Sequence, residues 1–308
     1  MRDGGPDFSV AVGTDGYAWW YVDALSDDGA HGLTIIAFIG SVFSPYYAWA
    51  RRRGPADPAR FCCMHAVLYG PRARWAMTER GASAVRREAT TLAIGPSAAE
   101  WDGDCLTVRL DEIAAPIPAR IRGTVRLRPA ALTGARFALH PDHDWAPIAP
   151  RARVEVALER PALTWSGDGY LDHNTGRAPL ERAFRRWDWS RAALGRETVI
   201  LYEGDRIDGE PLALALRIGA DGAVEAIDKP ALVSLPRTRW GIARATRADG
   251  AATVARTLTD APFYARSVLS TRLLGQTTTA MHETLDCRRF AQPWVQAMLP
   301  FRMPRALG

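Results

Sequence analysis

The most regular feature of the chain is an alternation of apolar and polar side chains. In RIRGTVRLR at 120–128, Ile121, Val125 and Leu127 are separated mainly by arginines. Because successive side chains of a strand point to opposite faces, this pattern predicts a strand with one buried and one wet face. Three further segments share the pattern and receive the same prediction: CLTVRL at 105–110, ARVEVALE at 152–159 and LALALRI at 212–218.

Short breaks that contain glycine separate the alternating segments. We predict turns at four of them: 27–29, 101–104, 202–210 and 219–222. Helical patterns are few, and a helix is predicted only at 179–187, where apolar residues recur at helical spacing behind Pro179. Together, these strand, turn and helix patterns predict a mainly β protein whose antiparallel sheets form sandwiches or barrels.

One stretch, GLTIIAFIGSVFSPYYAW at 32–49, has no charged residue. Its length invites comparison with a membrane-spanning helix, but Pro45 and two glycines interrupt it, and the strongly apolar part is only 33–43. Its isoleucine, phenylalanine and valine content instead predicts a strand that is buried on both faces. Three arginines follow at 51–53, so a peripheral contact with a membrane stays open.

The length of the chain suggests more than one domain. At 308 residues it exceeds what a single hydrophobic core usually organises. The proline-containing segment DWAPIAPRA at 144–152 is the best candidate for a hinge. We therefore predict an N-terminal domain at 1–150 and a C-terminal domain at 151–308.

Composition narrows the class of function and the compartment. The formal net charge of +5 rests almost wholly on arginine, and the arginines alternate with acidic residues instead of forming one basic stripe. No nucleic-acid partner is therefore predicted. The four cysteines form neither a CxxC pair nor a zinc spacing, and the N-terminus has no apolar stretch with a cleavage site. We expect free thiols and a cytoplasmic location.

Common cofactor and metal motifs are absent. The sequence contains no GxGxxG, Walker loop, GxSxG or HExxH. DHNTG begins like a calcium loop at Asp172, but Ala183 stands where the glutamate is required. His140 and His143 are spaced as an HxxH pair, yet Pro141 between them disfavours the helix that would aim both at one metal. We predict no metal and no cofactor.

Two short strings place chemically useful residues two positions apart. In HDW these are His143 and Trp145, and in YLD they are Tyr170 and Asp172. On strands, both members of each pair project to one face, so two adjacent strands bring a carboxyl, a phenol, an imidazole and an indole to one wall. Three tryptophans lie close enough in sequence to extend an aromatic lining and bind substrate: Trp165, Trp187 and Trp189.

An alternative without catalysis fits the same residues. Asp172, Asn174 and Gly176 suit an Asx-type turn at the end of a strand, with Tyr170 and Trp165 in the core. From spacing alone this turn-and-core interpretation is favoured, because such residues are common in turns.

Long motifs over nearly the whole chain resemble the carotenoid 1,2-hydratases, or hydroxyneurosporene synthases, of purple photosynthetic bacteria. The motifs are the segment 16–54, HDWAPIAP, WSGDGYLDHNTG, PLERAFRRWDWSRA and PWVQAMLPFRMPRA. The resemblance implies a pair of lipocalin-like β-barrels, and a cofactor-independent hydro-lyase that adds water to the terminal 1,2 double bond of an acyclic carotene such as neurosporene or lycopene. It also implies that Asp172 is the proton donor and that Tyr170, His143 and Trp145 assist it.

This reaction explains why such residues are needed. A proton must reach the less substituted carbon, leaving a tertiary carbocation that water captures. An exposed aspartate, with a pKa near 3.9, is ionised at neutral pH, whereas burial raises a carboxyl pKa by up to about 3–5 units. Aromatic faces stabilise the cation by roughly 0.5–2 kcal/mol each. Either His143 or the regenerated carboxylate can accept the proton of the water.

The implied substrate is an apolar rod that dissolves in a bilayer, which suits a groove or a barrel. We expect peripheral association with the inner, photosynthetic membrane, with 32–49 and WVQAMLPFRMPR at 294–305 as candidate contacts. A non-catalytic carotenoid carrier and a polyene isomerase or pericyclase on the same scaffold are the alternative functions. The sequence carries no feature that fixes the oligomeric state.

Overall fold

The structure, a computed structural model, describes residues 4–306 and divides into two compact units. The first unit runs to Pro179 and also takes in the chain from Ala297 onward, and the second is Leu180–Gln296. The strands of the first unit are β1 (Tyr17–Ser26), β2 (Gly32–Ile39), β3 (Cys63–Tyr69), β4 (Arg74–Ala76), β5 (Val85–Arg87), β6 (Thr91–Ile94), β7 (Ser97–Trp101), β8 (Leu106–Ile113), β9 (Arg120–Pro129), β10 (Phe137–His140), β11 (His143–Arg160) and β12 (Leu163–Gly176).

The strands of the second unit are β13 (Phe184–Leu194), β14 (Glu197–Arg206), β15 (Pro211–Ile218), β16 (Val224–Ala226), β17 (Ala231–Leu235), β18 (Arg244–Ala248), β19 (Thr253–Asp260), β20 (Tyr264–Leu273) and β21 (Gln276–Asp286). Helices are short: α1 (Pro45–Arg51), α2 (Leu180–Ala183), α3 (Cys287–Phe290) and α4 (Pro293–Met298), with 3-10 turns at Pro58–Arg60, Ala82–Ala84 and Leu299–Phe301. The prediction of a mainly β protein is confirmed.

One long antiparallel sheet organises the first unit. Its order is β4-β3-β2-β1-β12-β11-β9-β8-β7-β6-β5, and β10 pairs with β11. One face of this sheet carries the hydrophobic core, to which Trp20, Ile35, Met64, Val125 and Leu171 contribute. The second unit has a sheet ordered β16-β15-β14-β13-β21-β20-β19 and a separate β17-β18 hairpin.

The segment predicted to be a buried strand is β2, which is buried over most of its length. The chain leaves this strand at Gly40, whose φ of +67° and close approach to the carbonyl of Gly16 require glycine. It then forms α1, whose N-terminus is capped by the Ser44 hydroxyl, 2.9 Å from the amide of Tyr47. Among residues 4–306, no helix is both long enough and apolar enough to cross a membrane.

Two sequence-based boundaries are wrong. The helix predicted at 179–187 covers only α2, because the chain pairs with β14 from Phe184 and also with β21 from Arg186, and this pairing outweighs the helical spacing. The turn predicted at 202–210 is strand β14 as far as Arg206, and the turn follows that residue.

The predicted domain boundary at 150/151 is also wrong, because 144–152 lies inside the continuous strand β11. Pro147 and Pro150 lack the amide that a ladder needs, so the pairing of β11 with β12 shifts register at these points. The prolines therefore shift the pairing of a continuous strand and do not form a hinge. The units divide at Pro179/Leu180 instead.

The end of the chain returns to the first unit. Arg305 forms a parallel bridge with Glu79, whose amide donates to the carbonyl of Pro304 at 2.9 Å. The Arg305 guanidinium also pairs with the Glu79 carboxyl, which is fully buried. Burial raises the pKa of Glu79 to about 7, against the lowering effects of Ser44 and Arg305.

Candidate active site

Asp172 lies inside strand β12, not in a turn. The chain bends only after Gly176, so the Asx-turn interpretation is wrong for Asp172. β12 is central in the long sheet, paired with β1 on one side and β11 on the other. The side chain of Asp172 is 5% exposed, which makes it a buried carboxyl.

Three side chains donate hydrogen bonds to the Asp172 carboxyl. The Trp145 indole Nε1 and the Tyr170 hydroxyl each lie 2.9 Å from Oδ2, and the Asn174 amide Nδ2 lies 3.3 Å from Oδ1. Tyr170, Asp172 and Asn174 alternate along β12 and so share a face, while Trp145 stands directly opposite Asn174 on β11. The predicted meeting of the HDW and YLD strings therefore occurs at this carboxyl.

These surroundings act on the carboxyl in opposite directions. Burial disfavours the ionised form, whereas hydrogen bonds from three donors favour it. The three donors would stabilise the carboxylate that is left when a proton departs.

His143 and Tyr17 meet across a glycine. Both stand opposite Gly176, His143 on β11 and Tyr17 on β1. The Tyr17 hydroxyl lies 2.8 Å from His143 Nδ1, and the two rings stack with centroids 5.6 Å apart. A Cβ at position 176 would lie 2.3 Å from Tyr17 Cε1 and 2.6 Å from His143 Nδ1, so the pair depends on the missing side chain.

The imidazole of His143 is neutral at physiological pH. Burial lowers its pKa to about 4, and nearby His140 contributes to the lowering. A neutral ring offers one nitrogen as donor and the other as acceptor. His143 can therefore orient a water molecule and accept a proton from it.

A second buried carboxyl lies on the same face and was missed by the sequence analysis. Asp23 is fully buried on β1, directly opposite Tyr170, and Tyr21 on β1 stands opposite Asp172. The Tyr21 hydroxyl lies 3.5 Å from Asp23 Oδ2, and the rings of Tyr21 and Tyr170 meet edge to face at 6.0 Å. Two Tyr-x-Asp strings thus run antiparallel beside each other, and this repeated spacing was the available signal.

The aromatic lining differs from the predicted one. Trp165 is an odd number of residues from Asp172 along β12, so it lies on the opposite face and packs against the hydrophobic core. Its predicted place beside Asp172 is wrong. On the site face Trp19 stacks on Tyr17, with centroids 4.8 Å apart, and lies 5.8 Å from Phe38.

Trp187 and Trp189 belong to the second unit. Both are buried in β13, where the Trp187 ring contacts Phe184 and Tyr202. Their role in substrate binding stays a prediction. Within the described part of the chain, no three His, Cys, Asp or Glu side chains come together as potential metal ligands.

Solved structures with a similar fold are distant in sequence. An AttH protein from Nitrosomonas europaea superposes with a TM-score of 0.62 at 16% identity, covering 88% of this chain and 92% of that one. Kievitone hydratase from Nectria haematococca superposes with a TM-score of 0.56 at 10% identity, covering 92% and 97%. At such identities the likeness defines a class of β-rich fold and nothing finer.

Sequence relatives define the family. The profile of the family described as carotenoid hydratase CrtC matches residues 35–308. The chain is 54% identical to the acyclic carotenoid 1,2-hydratase of Thiocapsa roseopersicina, over 99% of this chain and 76% of that protein. It is 47% identical to the enzyme of the same name from Rubrivivax gelatinosus, over 98% and 76%. The chain belongs to the carotenoid hydratase family, as the resemblance in its motifs implied.

Proposed function

We propose that this protein is an acyclic carotenoid 1,2-hydratase, which adds water to the terminal 1,2 double bond of a carotene such as neurosporene or lycopene. The observation that carries the proposal is the buried Asp172 carboxyl with its donors from Trp145, Tyr170 and Asn174. Membership of the hydratase family supplies the class of substrate.

In the first step Asp172 protonates the alkene. The π electrons form a C–H bond to the less substituted carbon, C2, and C1 becomes a tertiary carbocation. Burial favours the loaded acid before the step, and the three hydrogen-bond donors stabilise the carboxylate after it. The aromatic faces of Trp19, Tyr21 and Tyr170 each stabilise a nearby cation by roughly 0.5–2 kcal/mol.

In the second step water captures the cation. The oxygen bonds to C1, and His143 accepts the released proton because its buried ring is neutral, with a pKa of about 4. Transfer of that proton from His143 back to Asp172 restores both residues to their starting states. No oxidation or reduction takes place. The reaction therefore requires no redox cofactor.

The apolar polyene must move from a membrane to the face of the sheet that carries Asp172. We propose that the two units are lipocalin-like β-barrels, as the family resemblance implies, and that apolar contact in a groove holds the rod-shaped substrate. Such a protein would work in the cytoplasm, in peripheral association with the inner membrane where carotenes dissolve.

A single incubation tests the proposal. Purified protein given detergent-dispersed lycopene or neurosporene, with no added cofactor, is expected to yield a product heavier by one water. A product with unchanged mass would indicate an isomerase or pericyclase instead. A stable coloured complex without any product would indicate a carrier.

Tyr17→Phe tests the positioning of His143. Removing the hydroxyl deletes the 2.8 Å contact with Nδ1, and a lost hydrogen bond of about 0.5–1.5 kcal/mol corresponds to roughly a two- to tenfold lower kcat with KM unchanged. Tyr47→Phe is the matched control, because the Tyr47 hydroxyl makes a 2.8 Å bond to the Gly16 carbonyl. Equal kcat values for the two variants would refute a special role for Tyr17.

The pH dependence tests the charge of His143. Since its pKa is about 4, the ring stays neutral as pH falls from 7 to 5, so protonation of His143 is expected to cause no loss of kcat over that range. An exposed histidine, with a pKa near 6.5, would lose most of its base form there. Initial rates between pH 5 and 7, with thermal unfolding measured at each pH, distinguish a buried His143 of lowered pKa from an ordinary exposed histidine. A fall in kcat towards low pH, centred near 6.5, would contradict the assignment.

A further inference from the structure

Two large aromatic side chains of the second unit are exposed side by side. Trp240 is 43% exposed and Trp294 is 46% exposed, and their rings stack with centroids 6.1 Å apart. Single exposed hydrophobic residues are common, but a stacked pair of exposed tryptophans indicates a binding surface.

Both indoles are held outward by well-bonded segments. Trp240 sits in a turn closed by hydrogen bonds between Thr238 and Ile242, next to Gly241 with its φ of +76°. The Arg289 guanidinium donates to the Trp240 carbonyl. Trp294 lies at the start of α4, which is anchored through buried Val295. The exposure is therefore built into the fold.

Two arginines and one aspartate lie beside the pair. An open cleft of about 600 Å³ beside the indoles is lined by Trp240, Trp294, Arg288, Arg289, Asp286 and Gln292. Asp286 caps α3 at the Arg289 amide, 2.9 Å away, and its carboxyl lies 3.8 Å from the Arg289 guanidinium, so these two charges offset each other. Arg288 is exposed, and so is Arg239, which precedes Trp240 in the chain. The cleft therefore carries one net positive charge, with the exposed Arg288 next to the indoles.

We propose that this Trp240–Trp294 surface docks the protein on an anionic lipid bilayer. Indoles partition to the level of the lipid headgroups, and arginines attract anionic phosphates at the same depth. The uncharged segment 32–49 is the other candidate for membrane contact. It is largely buried in β2 and α1, so we do not assign it to the docking surface. The inference rests on the proposed function only in that a carotene substrate resides in a membrane.

Sedimentation with vesicles that contain no carotenoid tests the surface. The wild-type protein is expected to bind vesicles of phosphatidylcholine with phosphatidylglycerol more tightly than phosphatidylcholine alone. Arg239→Gln with Arg288→Gln should weaken binding to the anionic vesicles by about fivefold for each arginine. Trp240→Ser with Trp294→Ser should weaken binding to both kinds by on the order of tenfold or more.

Ile117→Ser is the matched control, since Ile117 is an 80% exposed apolar residue of the first unit, and binding should not change. Unchanged binding of the tryptophan variant would overturn the proposal. So would a wild-type protein that self-associates without lipid and becomes monomeric in that variant, because the surface would then join two copies. Vesicle binding without hydration of any carotene would instead overturn the proposed function and leave the docking surface intact.

Discussion

Asp172→Asn is expected to lower the rate of carotene hydration by about a hundred- to ten-thousandfold, the contribution typical of a general acid. The amide has the shape of the carboxyl but no proton acidic enough to reach an alkene. Its oxygen can still accept from Trp145 and Tyr170, and Asn174 can turn its own amide to match. We therefore expect a folded, inactive protein, assayed by mass analysis of product and by thermal unfolding.

Asp144→Asn is the control for this substitution. Asp144 precedes Trp145 on β11, projects to the other face and pairs with Arg136 at 3.6 Å near the surface. The same chemical change there should leave turnover within about twofold, since surface ion pairs contribute little. Substantial turnover by the folded Asp172→Asn variant would show that another group supplies the proton.

Gly176→Ala is expected to reduce kcat by on the order of a hundredfold, because a methyl group cannot fit between Tyr17 and His143. The added Cβ would lie 2.3 Å and 2.6 Å from atoms of the two rings, so at least one ring must move. Overpacking of this kind typically costs about 1–3 kcal/mol of unfolding free energy. Initial rates and the unfolding free energy measure the two effects separately.

Gly13→Ala supplies the matched control, since a Cβ there would meet no atom within 4 Å. It should change neither kcat nor stability by more than a small amount. Wild-type kcat in Gly176→Ala would mean that the contact between Tyr17 and His143 has no part in turnover, and His143 would lose its proposed place in water activation.

The strands were predictable where one face of the strand is exposed to solvent. β8, β9 and β15 closely match the segments 105–110, 120–128 and 212–218, because their polar faces reveal the period of two. β1 is buried on both faces, so apolar residues at both parities hide its period. The helix at 179–187 failed for a different reason, since pairing to two neighbouring strands is not visible in local spacing.

The site was predictable in part for the same reason. The two-residue spacing placed Tyr170 with Asp172 and His143 with Trp145, and the structure brings three of these four together at one carboxyl. Asn174 also bonds that carboxyl, but its neighbours suggested a turn. Tyr17 and Asp23 come from a strand more than a hundred residues earlier, and only the register of β1 with β12 brings them to the site.

The closing bridge between Glu79 and Arg305 bears on how the polypeptide matures. During translation Arg305 is made only after the whole segment 180–296 that separates the two parts of the first unit. Until then the interior glutamate lacks its guanidinium neighbour. A nascent chain that stops before Arg305 would thus retain every residue of the proposed catalytic site and yet bury an acidic group without its basic partner.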